Sequence, residues 1–536
     1  MRRSLPLLLV LAACASAPKP VPEAPASPPP AAPAPAPAQA VAPPEVKAPQ
    51  GPIPFRPLRT PAPMAQVVLP VEKDPIASFR LVFHAGSIDD PKGKEGLTAL
   101  TAQLLAEGGT QSLSAAELVD ALFPMAGELS SSTNEEFTVF EGRVHKDFLP
   151  KYLPLFTDVL VAPRLDPKEF ERLRTDALNV IRTELRGEDD ETLGKVALQA
   201  ELYPDHPYRH FVGGTIAGLK AITLDDVRAQ LKKVFTQDRL VVGLAGAVDD
   251  ALAAQVKGKL AALPATGAPQ KVLPAAPASG GQVRILQKDS LSTAVSIGEA
   301  IDVRRGDPDF PALAFAVSYL GEHRQFSGQL MNELRERRGL NYGDYAYPEA
   351  FEQAGYSTFP QTNVGRAEQN FSIWIRPVEP KNAVFATRAA LYFFNELIEH
   401  PIAPEAFALT QKFVTGYTKL WELTDQRRLG YAIDDAFYGT QGYLESYRKA
   451  VAGLTPEAVQ AAVKRHVSLA RLDFAFVTRD AKGLTAQLAS GAPSPIAYPS
   501  PKAADVLETD KAIIAFPLPI HSEAIQTAPA DQFMAQ

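Results

Sequence analysis

Two stretches of this chain repeat one another at a single constant offset. Thr223-Leu-Asp-Asp-Val227 and Thr455-Pro-Glu-Ala-Val459 both open helices, with Thr as the N-cap and, at 456, Pro at the first helical position. The same offset pairs Leu231 with Val463, Lys232 with Lys464, Lys233 with Arg465 and Arg239 with Arg471. It then sets Leu240, Val242 and Leu244 against Leu472, Phe474 and Phe476. A helix and a strand in step over about twenty residues are the mark of a duplication. A Pro/Ala/Gly-rich stretch between Leu263 and Gly281 divides the two copies. The chain is therefore expected to fold as two related halves. Each begins with strands, as in Ser78-Phe-Arg-Leu-Val-Phe83, continues through amphipathic helices and ends on a helix and a strand. Helices over Ala115 to Phe123, opened by a Ser114-Ala-Ala-Glu117 capping box, and over Pro167 to Arg186 belong to the first half. Strands and helices in blocks predict an α+β fold: two homologous halves, each a mixed or antiparallel sheet covered on one face by helices.

The N-terminus carries a different signal. Arg2 and Arg3 precede an apolar run, Leu5 to Ala13, too short to span a bilayer, and the run ends in Leu11-Ala12-Ala13-Cys14. This resembles a bacterial lipobox, which implies cleavage before Cys14 and lipidation of its thiol. Cys14 is the only cysteine, so no intrachain disulfide can form. Residues 15–63 are mostly Pro, Ala and small polar residues, a composition that favours an extended, disordered tether. The boundaries are thus 1–14 signal and lipobox, 15–63 tether, 64–263 first half, 264–281 linker, 282–488 second half, and 489–536 a tail without assignment. The expected location is the bacterial cell envelope, lipid-anchored on the periplasmic face of the outer membrane. A net charge of -7 and a pI of about 5.8 leave no basic field for a phosphate backbone, which excludes nucleic acid as a partner.

The stretch Phe83-His-Ala-Gly-Ser-Ile-Asp-Asp-Pro-Lys-Gly-Lys-Glu-Gly-Leu97, with Gly109-Thr110 beyond the next helix, resembles the opening of the insulinase/pitrilysin family of zinc peptidases. In that family the helix carries His-x-x-Glu-His, whose imidazoles hold zinc and whose glutamate acts as general base. Laid on that frame, the three positions are Ala99, Ala102 and Gln103. The resemblance places the third ligand at Glu184, and one carboxylate cannot hold zinc. His206-Pro-Tyr-Arg-His210 is a close histidine pair but matches a structural loop of the family, and His84 reads as a packing or surface residue. No metal or other cofactor is expected on this chain.

Two further motifs follow from the resemblance. Phe326-Ser-Gly-Gln-Leu-Met-Asn-Glu-Leu-Arg-Glu-Arg-Arg-Gly-Leu-Asn-Tyr342 matches the segment from which an arginine and a tyrosine, here Arg335 and Tyr342, reach a zinc site to hold a substrate carbonyl or oxyanion. Gly127, Leu129, Ser130 and Ser131 match the edge strand to which the family adds an extended peptide. In bacterial two-subunit members of the family, one chain bears the zinc helix and the other the Arg/Tyr pair. The resemblance thus implies a non-catalytic subunit that completes the peptidase chamber of a zinc-bearing partner, with peptide or unfolded polypeptide as substrate. A peptide-binding or scaffold protein with no role in cleavage is the alternative.

Overall fold

The computed structural model describes residues 51–278, 280–322, 327–352 and 357–536, all within one contiguous unit. The signal, the lipobox with Cys14 and the tether up to residue 50 lie outside the described residues. Phe326, within the Arg/Tyr motif, does so too.

The duplication is visible in the strand order. The first sheet is built from β1 (Ala65–Pro70), β2 (Ile76–Phe83), β3 (Glu128–Thr133), β4 (Thr138–His145) and β5 (Leu240–Gly246), arranged β1-β5-β2-β4-β3. The second uses β6 (Val283–Gln287), β7 (Thr293–Ile301), β8 (Asp344–Tyr347), β9 (Gln369–Val378) and β10 (Asp473–Thr478) in the same order, β6-β10-β7-β9-β8. Among these five strands of each sheet the first pair is parallel and the others antiparallel. The paired helices Leu224–Val234 and Pro456–His466 start where expected. The Thr223 hydroxyl accepts from the Asp226 N–H and that of Thr455 from the Ala458 N–H. Arg239 and Arg471 answer one another as well: each closes the turn before the last strand by pairing with a buried carboxylate, Asp89 in one half and Glu299 in the other.

The outer face of each sheet carries that half's own helices over an apolar core. The inner face is covered too, and by the other half. The helix Asp190–Leu202, which belongs by sequence to the first half, lies on β6, β7, β9 and β10. The helix Asp425–Tyr438, from the second half, lies on β1, β2 and β5. Leu193, Ala197 and Leu198 pack with Ala294, Ala475 and Val477, and Leu429, Ile433 and Phe437 pack with Val82, Val139 and Val241. Glycines allow the close approach. A Cβ on Gly243 of β5 would sit 2.6 Å from the Ile433 side chain, and one on Gly298 of β7 would sit 3.2 Å from Leu198.

One boundary differs from the sequence expectation, and the tail left without assignment is structured. Composition extends the tether to residue 63, but the chain docks from Ile53. There it forms a backbone bridge with Ala276, sends Arg56 to Asp307 at 2.7 Å, and buries Leu58 beside Phe437. One leucine and one arginine anchor what a Pro/Ala-rich composition reads as free. The tail is likewise folded: Ala504–Ile514 is a helix, β11 (Ile525–Pro529) extends the second sheet parallel to β6, and Met534 and Ala535 accept from the N–H groups of Ile216 and Ala217 in the first half. Among the described residues no helix is long and apolar enough to cross a membrane.

Candidate functional site

A cavity of about 780 Å³ opens between the halves. Its first-half wall comes from the helix Leu97–Glu107 and from β3; its second-half wall comes from β9; and the helix Asp190–Leu202 runs along it. Ala99 and Gln103 line it. Ala102 does not: it is 1% exposed and belongs to the outer core of the first sheet. Gln103 turns its amide to Glu107 at 3.2 Å. Glu184 is exposed and lies outside the lining, on a π-helical continuation, Val180–Glu188, of the predicted Pro167-to-Arg186 helix. Two methyl groups, one amide and a remote carboxylate give no donor set for zinc. Among the described residues no three His, Cys, Asp or Glu side chains come together as a set able to hold a metal ion.

Among the described residues β3 is an outer strand of its sheet, paired only with β4. Leu129 turns towards the core, Ser130 is exposed, Ser131 lines the cavity together with Ser132 and Thr133, and Gly127 leads into the strand.

Arg335 and Tyr342 meet, but not in the cavity. The Arg335 guanidinium lies 4.9 Å from the centre of the Tyr342 ring, and Tyr342 is 67% exposed. Arg376 approaches the same ring at 5.5 Å and reaches the cavity wall, where its Nε is 3.1 Å from Glu191. Glu191 also pairs with Lys195 at 2.8 Å, and the Lys195 ammonium sits 3.7 Å over Trp374. Burial holds that ammonium below the ordinary lysine range, with Glu191 opposing the shift.

A buried polar seam, whose Glu135, Gln199 and Arg366 reach the cavity lining, joins the halves. Glu135 accepts from Gln199 at 2.7 Å and lies 3.3 Å from Arg366, which is stacked at 4.3 Å on Tyr208. Its neighbour Glu136 accepts from the Tyr208 hydroxyl, the Ala367 N–H and the His84 ring, the last at 3.1 Å. Burial alone would push Glu136 up, but these donors hold it below the usual glutamate range. His84 is thus a buried, hydrogen-bonded residue. His206 is paired with Glu368 at 3.0 Å, and His210 lies 3.4 Å from Asp90, so neither joins the other.

The seam and the Lys195–Trp374–Arg376 wall do not stand out in the sequence. One signal for the wall is present there: Asn370, Ser372, Trp374 and Arg376 alternate with Phe371, Ile373 and Ile375 along β9, the former lining the cavity and the latter in the core.

Sequence comparison agrees with this architecture. The family described as Insulinase (Peptidase family M16) matches residues 66–208, and the Peptidase M16 inactive domain matches residues 221–372. The chain belongs to the insulinase, or M16, family. It is 23% identical over 412 residues to the "Non-peptidase homolog YmxG" of Helicobacter pylori, covering 76% of this chain and 90% of that protein. It is 27% identical over 289 residues to the "Uncharacterized zinc protease SCO5738" of Streptomyces coelicolor, covering 52% of this chain and 61% of that relative. The crystal structure of a peptidase M16 inactive domain from Pseudomonas fluorescens shares the fold with a TM-score of 0.69 at 21% identity, over 83% of this chain and 99% of that one. A protease from Helicobacter pylori superposes with a TM-score of 0.65 at 16% identity, over 80% of this chain and 100% of that one.

Proposed function

We propose that this chain is a non-catalytic M16 subunit that pairs with a zinc-bearing His-x-x-Glu-His chain and completes its peptidase chamber. The observation that carries this is the Arg335–Tyr342 pair. It is assembled, with the guanidinium on the ring, yet it is presented outward and not into the chain's own cavity. Donors held in that way suit a reacting carbonyl on another chain, where a guanidinium and a phenol can stabilise developing negative charge. Ala99, Ala102 and Gln103 supply no imidazole or carboxylate where the family's zinc helix carries them, and the name of the Helicobacter pylori relative supports a non-peptidase. The substrate class is peptide or unfolded polypeptide, laid along the open edge of β3. Export, lipidation at Cys14 and a periplasmic outer-membrane location complete the proposal.

The test is co-purification with a zinc-bearing family member, followed by peptide turnover. Arg335→Ala and Tyr342→Phe should each lower kcat on the order of a hundredfold while the complex still forms. Unchanged turnover in both variants would falsify the donor role. It would favour the second reading, a peptide-binding or scaffold protein, which the intact cavity beside an open strand edge supports. In either case the purified chain should carry no stoichiometric zinc.

A further inference from the structure

The segment that bears the Arg/Tyr pair is held from outside by the tail. Met331–Arg337 is wound as a π-helix, a form that rarely stands without support and that recurs at functional sites. The next residue, Arg338, has no exposed side-chain surface. Its Nε donates to Asp510 Oδ1 at 2.9 Å, and its Nη1 donates to the Glu333 carbonyl and carboxylate at 2.9 and 2.8 Å. Asp510 lies on the tail helix Ala504–Ile514, and its other oxygen accepts from the Tyr498 hydroxyl at 2.7 Å. Arg337, one residue earlier, pairs with Asp505 of the same helix. The chain therefore passes from Arg335 to Tyr342 through a clamp whose far jaw is the tail.

We propose that the tail helix is a positioning element for the Arg335/Tyr342 pair, with Asp510 and Arg338 as its positioning residues. The inference rests on the donor role argued above. Asp510 fixes Arg338, and Arg338 fixes the wide turns of 331–337 through the Glu333 carbonyl. Relaxation to ordinary α-turns would rotate Arg335 about the helix axis and away from the Tyr342 ring. Neither positioning residue touches substrate; both act through the backbone that carries the donors.

The experiment uses the full chain, alone and in complex with the zinc-bearing partner. Asp510→Asn should raise amide hydrogen exchange at 331–343 by at least tenfold and leave β9 unchanged. In the complex it should lower kcat towards the level of Arg335→Ala, with KM and assembly unaltered, and Asp510→Glu should restore part of the loss. Tyr498→Phe, which removes one hydroxyl, should give a smaller effect of the same kind and serves if Asp510→Asn does not fold. Exchange at 331–343 unchanged in these variants overturns the proposal. Normal turnover in Arg335→Ala overturns the donor role instead, and is told apart because the exchange effect of Asp510→Asn persists.

Discussion

Asp344 sits two residues beyond Tyr342 with no exposed surface. Its one side-chain partner is the Asn341 amide, at 2.7 Å, and its second oxygen has none among the described residues. Burial raises its pKa from 3.8 to about 8, with the Asn341 bond opposing. Between those values the folded chain keeps a proton that the unfolded chain has released, so stability falls as pH rises through that window. Asp344→Asn should flatten the pH dependence of denaturant midpoints. It should also stabilise the protein at pH 8 by a few kcal/mol relative to the parent, on the order of 1.4 kcal/mol for each pH unit that separates the folded from the unfolded carboxyl. Equal slopes for variant and parent would show that Asp344 is already ionised in the fold. A second expectation concerns the helix Leu97–Glu107. Ala99→His with Gln103→His places imidazoles at the cavity, but Ala102→Glu would drive a carboxylate into the outer core among Leu105, Ala106 and Phe83. That change alone should cost about 3 kcal/mol or more, read as a fall in melting temperature.

The duplicated helix and strand and their caps were legible at the scale of elements, because each is a local pattern of spacing. The exchanged helices were not. Leu193, Ala197 and Leu198 declare an apolar stripe, but a stripe does not say which sheet it covers, and chain order suggests the nearer one. The docked segment before β1 was hidden for a related reason: Leu58 is a single apolar residue in a run of prolines, and its pocket is built by Phe437 far along the chain. Ile433→Ala and Leu198→Ala, each at an exchanged helix, should cost about 2–5 kcal/mol. Because each helix closes the opposite half, both variants should still unfold in one transition by circular dichroism and fluorescence alike; separate transitions would mean that the halves are independent. Leu58→Ala should leave that transition nearly in place while limited proteolysis cuts within 51–60 sooner.

For the whole molecule, the two sheets share a strand order but not a fate. The first keeps an open outer strand, β3, beside the cavity, and its helix turns Ala99, Gln103 and Glu107 to that cavity with no histidine among them. The second keeps an assembled arginine and tyrosine under the hold of the tail. Segments outside the two sheets' cores add to the joining: the stretch from Ile53 to Leu58 crosses from the linker to the second half, and β11 leads into residues that cap a first-half helix. The exchanged helices have a further consequence. Two copies that each lend a helix to the other form the arrangement of a domain-swapped dimer, and fusing such a dimer end to end gives this topology. A cut in the 264–281 stretch should therefore leave the molecule whole, with fragments 51–270 and 271–536 co-eluting and refolding only when mixed. Neither copy, expressed by itself, should bury the inner face of its sheet.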